Sequence, residues 1–140
     1  MDYCSMPASL YIFAVNQIIL LLMEQINNVH LRGNVGSVRT SVLSNGRSVC
    51  NIAVATNIIT RSHDNTMVQE TQWTNCVVWS SPKFPDLDSI NVGAGVELKG
   101  RLRSNRYTSQ TDGVERMMQE VMVSELTLLP QGERLTPIVL

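Results

Sequence analysis

The segment 96–103 (V-E-L-K-G-R-L-R) constrains the fold more than any other part of the sequence, because apolar or small residues alternate with charged ones at every step. Successive side chains of a β-strand point to opposite faces, so this alternation predicts a strand with one buried face and one solvent face. The first face carries Val96, Leu98, Gly100 and Leu102, and the charged face carries Glu97, Lys99, Arg101 and Arg103.

Four further runs are typical of β-strands, and turn signals separate them. The predicted strands cover 29–35, 49–56, 70–79 and 116–129. Asn45-Gly46 and Thr111-Asp112-Gly113 predict hairpin turns, whereas two prolines exclude a long helix and leave one short helical turn at 86–90. For a single domain of 140 residues, this order predicts an all-β fold, either a small closed barrel or a sandwich.

Two of these strands have faces of different character. In the run 49–56, Cys50, Ile52 and Val54 would fill a core, and the opposite face (Asn51, Ala53, Ala55) is small enough for close approach to the backbone. In the run 70–79, Cys76 and Val78 would fill the core, and the opposite face carries Trp73, Asn75, Val77 and Trp79. The two tryptophans are either core residues or a stacking platform for flat ligands such as nucleobases.

The composition and the motifs limit the classes of function that the chain can have. Apolar residues make up 44% of the chain, and a net charge of −1 argues against a basic, non-specific coat for nucleic acid, so any such role depends on local clusters of charge. Three cysteines without C-x-x-C spacing, and no signal peptide, favour reduced thiols in the cytosol. Neither His30 nor His63 has a Cys or Asp at ligand spacing, and catalytic and phosphate-binding motifs are missing from the sequence. We therefore expect no enzymatic activity, no metal and no cofactor.

Residues 1–22 form a hydrophobic N-terminal extension. The apolar run 10–23 is shorter than the roughly 20 residues that cross a bilayer, and no Lys or Arg precedes Arg32, unlike in a secretory signal. The extension could be a helix docked on the domain or on a partner, a weak membrane anchor, or a segment upstream of a natural start at Met23. The last interpretation is favoured because the patterned domain, 23–130, begins there; a short flexible tail, 131–140, follows it.

A row of cations follows the alternating strand. Lys99, Arg101 and Arg103 share its solvent face, Arg106 comes shortly after, and Tyr107 is next to it. Such a row is either an ordinary solvated face or part of a binding surface. Together with the two tryptophans it favours single-stranded nucleic acid, since cations follow the phosphates while each aromatic ring stacks on a base.

With these features the sequence resembles the bacterial single-stranded DNA-binding protein family, whose fold is a five-stranded OB-fold barrel with long hairpins. Five segments match in family order, including G-N-V-G, the Ala-Thr of the second strand, E-T-Q-W-T-N-C-V-V-W and G-R-L-R. They are 23–36, 45–57, 70–79, 100–107 and 112–116.

The resemblance implies sequence-independent binding of single-stranded DNA in replication, repair or recombination, in the cytoplasm and on the nucleoid. It also implies a homotetramer and no association with membranes. Trp73, Trp79 and Tyr107 occupy positions where the family stacks bases. The expected cationic contacts to DNA are Arg101, Arg103, Arg106, Lys99 and Arg32.

Three departures from the family pattern qualify that expectation. No aromatic residue follows the Ala-Thr pair, because 57–60 is N-I-I-T. Pro82 and Pro85 interrupt the helix between the third and fourth strands. The long flexible tail with an acidic, Phe-ended tip is absent, which puts recruitment of replication and repair proteins in doubt. An alternative function is therefore a tail-less OB-fold adaptor of the replisome or primosome that acts mainly through protein contacts.

Overall fold

Five long strands account for most of the structure, a computed structural model that describes residues 23–132 and 134–140. They are β1 (Val29–Val42), β2 (Ser48–Arg61), β3 (Met67–Trp79), β4 (Gly95–Thr108) and β5 (Glu115–Leu128), followed by a short β6 (Ile138–Val139). A single 3-10 turn, Leu87–Ser89, lies between β3 and β4, and the Asp86 carboxylate accepts a hydrogen bond from the Asp88 N–H at its start. The predicted strands and the short helical turn are therefore confirmed.

The five long strands close into a barrel. Their order around it is β1-β4-β5-β3-β2, and β2 pairs back onto β1. All the pairings are antiparallel except the short parallel contact of β3 with β5 at Cys76–Val121 and Val77–Met122. This closed five-stranded arrangement is the OB-fold expected from the resemblance, and it decides between the barrel and the sandwich.

Most of the apolar residues that the alternation predicts fill the barrel interior. Two predictions are wrong: Leu102, expected on the buried face of its strand, is 42% exposed, and Val77, expected on the outer face with the tryptophans, is buried. Cys50, Ile52 and Val54 of β2 are buried, and so are Cys76 and Val78 of β3. Further buried apolar residues come from each remaining barrel strand and from the 3-10 turn: Val35, Val96, Leu98, Val121, Val123, Leu126 and Leu87. Burial raises the pKa of the Cys76 thiol to about 12 and raises that of Cys50 as well, so both thiols stay protonated.

Four strands run on past the barrel and form two arms. β1 pairs with β2 only as far as Ala55, so β2 and β3 continue alone as the β2–β3 arm, residues 56–72. In the same way β4 and β5 continue beyond their last barrel contacts as the β4–β5 arm, residues 103–120. The arms are hairpins whose turns place Asn65 and Gly113 at positive φ.

Two glycines of the barrel are required by close backbone contacts. A Cβ on Gly33 of β1 would collide with the carbonyl oxygen of Ala55, and one on Gly100 of β4 would collide with that of Met122. The register shifts between Lys99 and Gly100, which marks a bulge beside the second contact. A further register shift, between Val35 and Ser37, marks a second irregularity at Gly36 of β1.

The tail segment behaves differently from the flexible tail that the sequence predicts. Ile138 and Val139 form β6, which pairs in parallel with Ile58 and Ile59 of β2. This pairing arises because β2 has no β1 partner beyond Ala55, which leaves backbone N–H and C=O groups open on that edge. In the described residues no helix is long and apolar enough to cross a membrane, and the extension 1–22 lies outside them.

Candidate nucleic-acid interface

The small-residue face of β2 and the tryptophan face of β3 form one outer surface of the barrel. Directly paired residues on antiparallel strands share a face, and Ala55 pairs with Trp73, Ala53 with Asn75, and Asn51 with Val77. The pairing thus places Trp73 and Asn75 beside alanines, while Trp79 pairs with Val49. Ala53 and Ala55 are half-buried, and their small side chains add little bulk to this surface.

Trp73 is the most open aromatic residue of this surface. Its side chain is 55% exposed, at the point where the β2–β3 arm leaves the barrel. A Cβ on Gly36 of β1 would overlap the rim of the indole ring, so the ring rests on a residue that has no side chain. Gly36 therefore makes room for Trp73 in its present orientation, a contact that the sequence pattern of either strand does not reveal.

Trp79 lies on the same strand face but is less accessible. It is partly buried, and the guanidinium carbon of Arg47 lies 5.0 Å from the centre of its ring, within range of a cation–π interaction. Arg47 thus covers part of the surface on which a base would stack. The sequence pattern does not indicate a role for Arg47, because its contact with Trp79 depends on the pairing of β2 with β3.

Tyr107 lies on the β4–β5 arm and is 45% exposed, with Arg116 of β5 as its cross-strand neighbour. Trp73, at the base of the β2–β3 arm, and Tyr107, on the β4–β5 arm, therefore lie on different hairpins. By alternation Tyr107 shares a strand face with Arg101 and Arg103, while Arg106 lies on the opposite face. The predicted site residues are thus distributed over two hairpins.

Arg103 is held by a carboxylate. Its Nε lies 3.1 Å from Oε1 of Glu120, and its Nη2 donates to the same oxygen. The Glu120 side chain is only 4% exposed, so its charge is buried against the guanidinium. Breaking a buried pair of this kind leaves one charge without its partner, and Arg103 is consequently less free for a phosphate than its position in the cationic row predicts.

The other predicted cations differ in their partners. Arg32 donates to Oε1 of Glu97 at 2.9 Å, and His30 contacts the same oxygen at 2.8 Å. The hydrogen bonds from His30 and then Arg32 lower the pKa of Glu97. Arg106 is largely exposed, 3.8 Å from Glu115. Lys99 and Arg101 are exposed and form no salt bridge with any residue that the structure describes.

A cavity of about 470 Å³ opens beside this outer surface, and no sequence pattern predicts it. Side chains of all five barrel strands line it: Arg39, Asn51, Asn75, Asn105 and Glu120. We call it the amide pocket. The only signal in the sequence is that Asn51 and Asn75 lie on the solvent faces of neighbouring strands; Asn105 comes from a strand that only the fold brings near.

The barrel and its outer surface correspond to the class of OB-fold proteins, which use the face of strands 2 and 3 and the flanking hairpins to bind oligonucleotides or oligosaccharides. Within that class the match is specific. The model of the single-strand binding protein family covers residues 26–129, most of the chain, and the chain belongs to this family.

Individual relatives agree with this assignment. The chain is 29% identical over 105 residues to a protein of Neisseria meningitidis named single-stranded DNA-binding protein, covering 74% of this chain and 60% of the relative. It is 28% identical over 105 residues to a protein of the same name from Xanthomonas axonopodis pv. citri, covering 74% and 58%. The matched region thus spans about three fifths of the length of these curated relatives.

The fold also agrees with a solved structure. Plasmodium falciparum SSB in complex with ssDNA superposes with a TM-score of 0.66 at 23% identity, over 78% of this chain and 99% of that one. At this level of identity the comparison supports the barrel fold.

Proposed function

We propose that this protein binds single-stranded DNA without regard to sequence, by stacking bases on aromatic rings while cations contact the phosphates. The observation that carries the proposal is the half-exposed indole of Trp73, seated over Gly36 on the outer face of the barrel. Tyr107 on the second arm and the accessible part of Trp79 supply further rings. Membership of the family and the names of the relatives support this function.

The salt bridges that the cations form with carboxylates determine which of them contact phosphates. Lys99, Arg101 and Arg106 carry that role, because Arg32 and Arg103 are held by the carboxylates of Glu97 and Glu120. Each neutralised phosphate of a single strand contributes about 0.7 to the slope of log K against log salt concentration, so three contacts give a slope of about −2 for each protomer. If Arg32 and Arg103 also exchange their carboxylates for phosphates, the slope becomes about −3.5.

The proposed setting follows from the family. The protein acts in DNA replication, repair or recombination in the cytoplasm, as a binder without catalytic activity. Four copies would wrap one strand. Among the residues that the structure describes, no cluster of three or more metal-ligating side chains occurs.

Fluorescence anisotropy of a labelled oligo-dT, measured over a series of salt concentrations, tests the proposal. Trp73→Ala should weaken binding by about 1–3 kcal/mol, since one stacked base is lost. Trp79→Ala should cost less, because Arg47 already covers part of that ring. Met67→Ala, an exposed change near the tip of the same arm, is the control and should bind as the wild type does.

The opposite result is also informative. If the folded protein does not bind oligo-dT at low salt, stacking on this face is not its function. That outcome would favour the adaptor role, in which a protein partner occupies the tryptophan face.

A further inference from the structure

The amide pocket lies where the β4–β5 arm approaches the outer face of the barrel, next to the surface proposed to bind DNA. Its volume of about 470 Å³ is in the range of about 300–1,000 Å³ that is usual for small-molecule sites. Ala53 and Ser37 also line it, and their small side chains keep it open. A single flat group the size of a nucleobase therefore fits the space.

Glu120 contributes a carboxylate to the pocket, and one of its two oxygens accepts no hydrogen bond from the described residues. Both Arg103 contacts go to Oε1 of Glu120, and no residue in the described ranges donates to Oε2. Every buried polar side-chain atom of the described chain nevertheless has a partner. Oε2 is consequently not sealed in the interior, and since Glu120 lines the amide pocket, this oxygen can accept a hydrogen bond there.

Three amides line the same pocket as that carboxylate. The Nδ2 of Asn75 lies 3.6 Å from the sulfur of Met118, a weak contact, and the exposed side chains of Asn51 and Asn105 make no hydrogen bond within the part of the chain that the structure describes. Each amide offers two donor hydrogens and an acceptor oxygen. Such a set matches the mixed donors and acceptors on the edge of a base, whereas Glu120 would repel a phosphate.

We propose that the amide pocket receives one base of the bound strand and prefers cytosine over thymine. This inference rests on the proposed DNA binding and adds a base preference to it. The exocyclic amino group of cytosine donates to Oε2 of Glu120, and its ring nitrogen and carbonyl oxygen accept from the asparagine amides. Thymine presents an acceptor oxygen at the position of that amino group, so its lone pairs face the carboxylate and no hydrogen bond forms.

Arg39 completes the nucleotide site. It is exposed, it lines the same cavity, and it forms no salt bridge with any described residue. Its guanidinium is free to pair with the phosphate of the nucleotide whose base lies among the amides. The carboxylate and the cation thus act on different parts of one nucleotide.

Competition between oligo-dC and oligo-dT of equal length, read by anisotropy, tests the preference. The wild type should bind oligo-dC at least about fivefold more tightly, the lower end of what one well-made base contact contributes. Glu120→Gln should reverse the ratio, because the side-chain oxygen can keep its contact with Arg103 while an amide N–H₂ replaces Oε2 and donates to thymine. Glu115→Gln, the same change on an exposed carboxylate of the arm, should leave the ratio unchanged.

A second variant covers the case in which Glu120→Gln does not fold, as judged by its thermal melting. The double change of Asn51 and Asn105 to Ala alters two exposed side chains and should reduce the wild-type ratio towards one. Equal affinity of the wild type for the two oligonucleotides would overturn the base preference and leave the proposed DNA binding intact. Absence of binding to both would overturn the two proposals together.

Discussion

The strands β2, β3, β4 and β5 each pass through two different environments, the barrel and an arm. Within β3, Cys76–Val78 are buried while 67–73 are exposed. Within β5, Val121 and Val123 are buried while 115–119 are exposed. The backbone pairing is continuous across the boundary, so hydrogen bonding alone does not separate the two regions.

The difference lies in what faces each strand. In the barrel one face of every strand packs against the opposite wall, and burial of apolar area stabilises the fold. In the arms most residues of β3, β4 and β5 are exposed on both faces, so the arms depend on the barrel for their position. The candidate site lies at the boundary, where the barrel positions the exposed Trp73 and the buried pair of Arg103 with Glu120.

Removing a buried side chain should give the largest effect on stability. Leu98→Ala in the barrel is expected to lower the free energy of unfolding by about 2–5 kcal/mol, because a cavity remains where the side chain packed. Met67→Ala in the β2–β3 arm is expected to change it by less than about 0.5 kcal/mol. Urea denaturation of both variants measures these values; equal losses would show that the arm is packed as tightly as the barrel.

Two glycines of β1 provide a sharper test, since the same substitution should have different consequences. In Gly33→Ala the new methyl group meets the backbone carbonyl of Ala55, which cannot move independently, and a loss of about 1–3 kcal/mol is expected. In Gly36→Ala it meets the indole of Trp73, an exposed side chain that can rotate.

Gly36→Ala should therefore keep its unfolding free energy to within about 1 kcal/mol but shift the tryptophan emission spectrum and weaken binding to oligo-dT. The Gly33→Ala variant should have a reduced free energy of unfolding but, at temperatures where it is folded, should bind oligo-dT with native affinity. If both glycines affect only stability, the orientation of Trp73 is not what the site requires.

The smallest expected effect is a pH dependence of the barrel. Hydrogen bonds from His30 and Arg32 lower the pKa of Glu97 in the folded chain. Its contribution to stability is thus present above its unfolded pKa, about 4.3, and disappears as the pH falls through the lower folded value. The melting temperature of Glu97→Gln should lie slightly below that of the wild type at pH 7, and the difference should vanish in acid. A difference that is constant with pH would show that charge is not its cause.

The sequence predicts the barrel well because the patterns that specify its strands and turns are local. Alternation identifies Cys50, Ile52 and Val54 as core residues, and the hairpin turns follow from Asn45-Gly46 and Thr111-Asp112-Gly113. Each of these signals lies within one strand or one turn. The fold class follows from their order along the chain.

The site is predicted less completely because its contacts join distant positions. The pairing of Arg103 with Glu120 depends on the register of β4 with β5, and the stacking of Arg47 on Trp79 depends on that of β2 with β3. The aromatic and cationic residues can therefore be named from the sequence, while the carboxylates that restrain some of them cannot. The same limit explains why the amide pocket has no counterpart in the sequence pattern.

The short strand β6 has a consequence for how copies of this protein behave at high concentration. An open sheet edge is a template on which a second molecule can add its own strand. By pairing with Ile58 and Ile59, residues 138–139 occupy such an edge on the arm next to Trp73. At these two positions the backbone of β2 already has a partner within the same molecule, so the strand of a second molecule cannot pair there.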